Sequence, residues 1–259
     1  MSGGLLGEVG LLARRSVRRT LRQPALVVPT IVFPLFLLAV NASGLSSATK
    51  IPGFPTKDYL DFAITVPFMQ GALFSSTTAG TELANDIETG FLNRLQLTPL
   101  RGGALLIGQM AGALLMALVG SLAYLAVGLA LGVDFRSGVA GVLVLLVLAL
   151  LVALAFASIG AFFAAQSGSS QAVQGLFPLI FVLFFLSSMS LPRDLIAVGW
   201  FRTVASWNPV SYLVEGLRSL VITGWDGTAL WRGFAAGIAI AVLGLWAASR
   251  GLATRMERT

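Results

Sequence analysis

The chain has 259 residues, 56% of them hydrophobic and only 11% charged, with 17 Lys and Arg against 11 Asp and Glu. A soluble domain carries roughly 25% charged residues, so this chain has too few to cover a water-facing surface, and lipid must solvate much of it. The net charge of +6 comes from arginines spread along an apolar chain. That pattern fixes membrane topology and argues against a nucleic-acid partner. Cys and His are both absent, which removes disulfides, thiol chemistry, the commonest general base and a frequent metal ligand.

The first element is an N-terminal amphipathic helix, placed in a segment 1–23. Over Leu5–Arg22, Arg14, Arg15, Arg18, Arg19 and Arg22 fall within an arc of roughly 140° at about 100° per residue. Leu5, Leu6, Val9, Leu12, Val17 and Leu21 lie opposite, with Leu11 the exception. Such a helix is expected to lie in the headgroup plane with its guanidiniums toward lipid phosphates. The plain role is a topology signal and anchor; a sharper one, compatible with it, is a lever touching a cytoplasmic partner. The Arg14-Arg15 pair also resembles a twin-arginine export signal, but five further spans follow the first, which is therefore read as an uncleaved anchor.

A spanning helix needs about 20 apolar residues. Six stretches qualify within 24–259: Pro24–Ala42, Tyr59–Gly80, Ala104–Leu131, Gly138–Ala165, Ala172–Leu191 and Ala229–Ser249. Pro29, Pro34, Pro67 and Pro178 fall inside them and are expected to kink their helices. The fold class is an all-α, polytopic membrane protein. An even number of spans puts both termini on one side, and both are basic, so both are expected in the cytoplasm. Lys50 and Lys57, in the first outer loop, dissent mildly.

The connection 81–103 between spans two and three gathers Glu82, Asp86, Glu88, Arg94 and Arg101. A short helical run, Gly90 through Leu95, is closed by Thr98-Pro99, because proline restricts the residue before it. Leu92 and Leu95 share a face, Phe91 lies beside it, and Glu88 stands at the favourable end of the helix dipole. Such a helix either docks on a partner or folds back as an ordinary loop. The outer segment 192–227 carries Trp200, Trp207 and Trp225, rings expected at a membrane interface. Asn208 reads as an N-cap with Pro209 in the first helical position, and the helix should stop at Gly224. Glu215 and Arg218, three apart on it, are placed to pair. The segment is expected to dip into the outer leaflet as a re-entrant hairpin, acting either as an interfacial belt or as an outer gate that includes Trp207, Asn208, Pro209, Tyr212, Glu215 and Arg218.

No carboxylate falls at a predicted mid-membrane position, which counts against ion-coupled transport. Gln70, Gln109 and Gln174, with Ser75, Ser76, Thr77 and Thr78, are candidate interior polar groups, read mainly as helix–helix contacts. There is no Gly-rich phosphate loop ending in Lys and Ser or Thr, and no nucleophile–base pair. The chain therefore has no catalytic or metal site of its own, and energy for transport must come from a partner.

Two stretches carry a family resemblance. Glu88-Thr89-Gly90-Phe91-Leu92, Leu95 and Thr98-Pro99 resemble the coupling segment of type-2 ABC exporter permeases. Asn208-Pro209-Val210-Ser211-Tyr212 through Glu215, Leu217, Arg218 and Gly224 resembles that family's signature before its last span, nearest to actinobacterial daunorubicin-type antibiotic-resistance exporters. The second match is the more specific; Ile87 stands where the first often has a charge. The resemblance implies a bacterial plasma-membrane subunit that exports an amphipathic drug, antibiotic or lipid. It further implies a homodimer or a heterodimer with a sister permease, and separate nucleotide-binding ATPase subunits that hold ATP and Mg. Coupling would fall to Glu88, Gly90, Phe91, Leu92, Arg94 and Leu95. The alternatives are a permease for a lipid-linked envelope glycan and a non-transporting membrane scaffold.

Overall fold

The computed structural model describes residues 5–22, 24–91 and 102–256. Among the described residues there is no strand. The helices are α1 (Leu5–Leu21), α2 (Pro24–Gly44), α3 (Tyr59–Ala63), α4 (Thr65–Glu88), α5 (Gly102–Ala130), α6 (Gly138–Ser167), α7 (Ser170–Gln174), α8 (Leu176–Phe185), α9 (Gly199–Trp207), α10 (Pro209–Ile222) and α11 (Gly227–Met256).

The prolines act at helix starts as much as inside helices. Pro67 and Pro178 each occupy the third position of a helix, α4 and α8, where the backbone N–H has no intrahelical acceptor to lose. The expected kinks are therefore breaks at Ile64 and Gly175, and the predicted spans 59–80 and 172–191 are each made of two helices. Pro34 lies inside α2, which continues through it. Its missing N–H would have met the carbonyl of Thr30, and the buried Tyr124 hydroxyl donates to that carbonyl instead.

The helix α6 is the central strut, with α4 on one side and α11 on the other. A Cβ at Gly160 would lie 1.9 Å from the Ser76 carbonyl oxygen, so α4 and α6 touch backbone to backbone there, the close approach that small residues permit in lipid. One buried core gathers Phe62, Phe68, Tyr124, Leu148 and Leu217. A second, toward the other end of the bundle, gathers Leu12, Leu83, Met110, Ala161 and Leu252. Among the described residues, three helical stretches are long and apolar enough to cross a membrane: Leu106–Ala130, Gly138–Ser167 and Gly227–Arg255. The described apolar part of α2, Val28–Gly44, and the α7–α8 stretch, Ser170–Phe185, are shorter.

Two expectations are corrected. The α4 helix does not stop near Gly80 but runs to Glu88, so the first third of the connection 81–103 extends a bundle helix. The helix at 209–222 has the expected cap and end but not the interfacial exposure. Val210, Leu213, Val214, Leu217, Leu220 and Val221 are all buried, because α10 packs against both α6 and α11. Those residues form one apolar face of the helix, with Ser211, Tyr212, Glu215 and Ser219 on the other, and that face packs inward.

Candidate functional site: the α1–α4–α5 junction and the α9–α10 turn

The densest polar cluster joins α1 to the end of α4 and the start of α5. The side of α1 that faces the protein is Leu12, Ser16 and Thr20, all buried, while Leu11 is 71% exposed. This stripe rests on Gly108 and Gly112, four apart on α5. A Cβ at Gly112 would lie 2.4 Å from Ser16 Oγ and 2.5 Å from Thr20 Oγ1, and one at Gly108 would lie 2.4 Å from Leu12 Cβ. Of the residues placed opposite the arginines, Leu12 lies on this stripe, and Ser16 and Thr20 complete it. Two small hydroxyl residues share its contact stripe because only small side chains permit this helix spacing. The side chains of Leu5, Leu6, Val9 and Leu21 lie outside the described residues.

Those hydroxyls are bonded. Ser16 Oγ donates within reach of Glu82 Oε2 (2.9 Å) and the Gln109 carbonyl (2.8 Å) and accepts from the Gly112 N–H (3.1 Å). Thr20 Oγ1 lies 3.0 Å from the Ser16 carbonyl and 3.2 Å from Glu82 Oε1. The Glu82 carboxylate is buried and lies against both hydroxyls.

Asp86, one turn further along α4, receives a two-pronged contact from Arg15, Nη1 to Oδ2 at 2.7 Å and Nη2 to Oδ1 at 2.8 Å. Arg19 follows at 3.4 Å, and Gln109 Nε2 also donates. The hydrogen bond to Asp86 raises the Arg15 pKa further despite partial burial. The Arg15 guanidinium also lies over the Phe91 ring, 3.9 Å from its centre, a cation–π contact. Arg14, Arg18 and Arg22 remain exposed.

Of the expected coupling residues, Leu92, Arg94 and Leu95 lie outside the described residues. Glu88 is exposed and accepts from the Ser170 N–H at 2.8 Å and its hydroxyl at 3.1 Å, so it holds the start of α7, where a carboxylate suits unpaired N–H groups. Gly90 has φ +66, a left-handed conformation that ends α4 and that glycine adopts without strain. Arg255 of α11 bonds the Ala165 and Gln166 carbonyls at the end of α6. The α1 helix and the C-terminal part of α11 therefore stand at the same end of the bundle.

At the α9–α10 turn, Asn208 Oδ1 accepts from the Val210 N–H at 3.0 Å, and its Nδ2 donates to the carbonyls of Leu183 (2.7 Å) and Leu186 (3.0 Å) at the end of α8. Pro209 takes the first helical position, and Trp207 beside it is 84% exposed. The Tyr212 hydroxyl donates to the Ser206 carbonyl across the turn. The expected Glu215–Arg218 pair does not form. Glu215 pairs with Arg193 and accepts from Ser188 Oγ at 2.7 Å. Arg218 turns into the protein, donating to the carbonyls of Phe62 (3.3 Å), Ser188 (2.9 Å) and Met189 (2.7 Å) beneath the Phe62 ring. Ser188 and Met189 lie in the non-helical turn after α8, whose free carbonyls supply the counter-dipoles a buried guanidinium requires.

Sequence reasoning named Asp86 and Glu82 only as loop charges and overlooked Ser16, Thr20, Gly108 and Gly112. The signal for the glycines was present: Gly108-Gln109-Met110-Ala111-Gly112 is a small-residue pair at the spacing of one helix face.

Residues 7–222 match the ABC-2 type transporter family. Over 216 residues, 83% of this chain, the protein is 24% identical to the "Probable doxorubicin resistance ABC transporter permease protein DrrC" of Mycobacterium tuberculosis strain CDC 1551 / Oshkosh, covering 76% of that protein. The counterpart in strain ATCC 25618 / H37Rv gives the same figures. With a match that runs from α1 to the end of α10, the chain belongs to the ABC-2 type transporter family, as a membrane component without an ATPase site of its own.

Proposed function

We propose that this chain is the permease of an exporter for an amphipathic or hydrophobic compound, driven by a separate ATP-binding subunit docked at the α1–α4 end. In this reading α2, α3–α4, α5, α6, α7–α8 and α11 are six spans in a bacterial plasma membrane. Both termini face the cytoplasm, the α9–α10 hairpin enters from the outer side, and two permeases pair around the pathway. A family of ABC permeases implies the ATPase partner. The name of the mycobacterial relative, a doxorubicin resistance permease, supports a drug-like cargo.

The observation that carries the reading is the contact of Arg15 with both Asp86 and Phe91. It ties the basic N-terminal helix to the last turn of α4 and to Phe91 of the coupling segment, so a push on that segment moves α1 and α4 together. The test is purification of the tagged chain from its native membranes in mild detergent. A stoichiometric ATPase subunit should accompany it, and Glu88→Lys with Phe91→Ala should lower substrate-stimulated ATP hydrolysis while the bundle stays folded. A folded chain that never brings an ATPase with it would favour the scaffold alternative.

A further inference from the structure

At the end of the bundle opposite Asp86, a cavity of about 520 Å³ opens between α9, α10 and α11, a size within the roughly 300–1,000 Å³ range of small-ligand pockets. Four arginines line it, Arg193, Arg202, Arg218 and Arg232. Two are committed: Arg218 to three carbonyls and Arg193 to Glu215 and the face of Tyr212. The other two are not. Arg202 uses only Nε, on the Ile196 carbonyl at 2.8 Å, and Arg232 makes no hydrogen bond or ion pair among the described residues. Of the acids on the same wall, Glu215 is paired, and Asp226 accepts from the Thr228 and Ala229 N–H groups at the start of α11. That leaves the exposed Asp194 and two guanidiniums with terminal N–H donors to spare on the cavity lining.

Three exposed tryptophans neighbour cavity-lining residues along the chain. Trp200 is two residues from Arg202, Trp231 adjoins Arg232, and Trp225 adjoins Asp226; they are 66%, 71% and 59% exposed. Exposed indole rings in a membrane protein sit at headgroup level. Guanidiniums with unused donors on the lining of one cavity match the oxygens of a phosphate, which arginine grips in two-pronged fashion.

We propose that this cavity binds the phosphate of an anionic phospholipid headgroup, with Arg202 and Arg232 as its ligands. The assignment rests on the chain lying in a membrane and not on its ATPase partner, so it stands or falls separately from the export reading. Because the chain has no cysteine, a single reporter can be placed at Thr223, an exposed residue on the cavity wall. The full-length Thr223→Cys protein, purified in detergent, is labelled with a maleimide after addition of phosphatidylglycerol, phosphatidylcholine with the same acyl chains, or inorganic phosphate. Phosphatidylglycerol should slow labelling at concentrations about tenfold below those phosphatidylcholine requires, a difference of one decade in Kd. Arg202→Gln with Arg232→Gln should abolish that preference with the melting temperature unchanged. The α1 arginines, at the far end, do not affect this local reporter. Equal protection by the two lipids, protection that survives the double substitution, or protection by inorganic phosphate alone would each overturn the proposal.

Discussion

Replacing Asp86 by Ala should release the N-terminal helix from the bundle, by an amount set by the three donors that Asp86 holds. Asp86 is 4% exposed and accepts from Arg15, Arg19 and Gln109. Removing it strands the buried Gln109 amide, which costs about 1–3 kcal/mol. Arg15 and Arg19 are 39% and 29% exposed, so water screens their loss and recovers most of it, leaving about 1 kcal/mol for the two together. Docking of α1 should therefore weaken by about 2–4 kcal/mol. Leu12, buried on the contact stripe, is the reporter: as Leu12→Cys in this cysteine-free chain, its thiol reacts with a maleimide only when α1 lifts away. Where reclosing outpaces labelling, the rate follows the open population. Asp86→Ala should then raise labelling roughly 30- to 900-fold over Leu12→Cys alone. A rise below threefold would mean that the Gly108–Gly112 contact holds α1 without the polar cluster, and Asp86 would not be the pin of a lever.

Glu82→Gln should behave in the opposite way. Glu82 makes only hydroxyl contacts and no ion pair among the described residues, and an amide still offers an acceptor to Ser16, so Leu12→Cys labelling at pH 7 should stay within about twofold of the parent. Gly112→Leu should instead drive α1 off its seat, since even a Cβ there meets Ser16 and Thr20. It should cost about 1–3 kcal/mol by overpacking, read by the same labelling, and unchanged protection would contradict the packing described. Tyr124→Phe should lower the detergent melting temperature by removing the hydroxyl's bond to the Thr30 carbonyl, at about 0.5–1.5 kcal/mol. Adding Pro34→Ala, which restores an N–H to that carbonyl, should remove most of the penalty in a double-mutant cycle, and additive losses would show that Tyr124 serves another purpose. Arg218→Lys should destabilise by about 2–4 kcal/mol, because an ammonium cannot reproduce three fixed donors; a thermal shift within error would refute that.

What was legible in the sequence divides along local and long-range lines. Asn208-Pro209 and Gly224 mark a helix by the chemistry of its own ends, and the structure starts and stops α10 at Pro209 and Ile222. The surroundings of that helix were not legible, since three tryptophans in the segment suggested an interface while the apolar face of α10, Val210 through Val221, is packed inside. Arg218 shows why most sharply. Its position three residues after Glu215 invites a helical ion pair, yet its partners are carbonyls from Phe62, Ser188 and Met189, 29 to 156 residues away. A carbonyl leaves no mark in a sequence, because every residue has one; only a break in a helix frees it, and the break after Phe185 follows from tertiary packing. The same holds at the other end of the bundle. Ser16 and Thr20 look like polar interruptions of an amphipathic helix until Gly108 and Gly112 bring α5 within reach and Glu82 and Asp86 supply the acceptors. A reading drawn from arginines alone therefore singles out α1 and gives no sign of the hydroxyl stripe by which it touches the bundle. The arginines that carry the connection are the two beside the hydroxyl stripe, Arg15 and Arg19, and not the exposed Arg14, Arg18 and Arg22, which remain turned outward where lipid phosphates or a partner subunit would meet them.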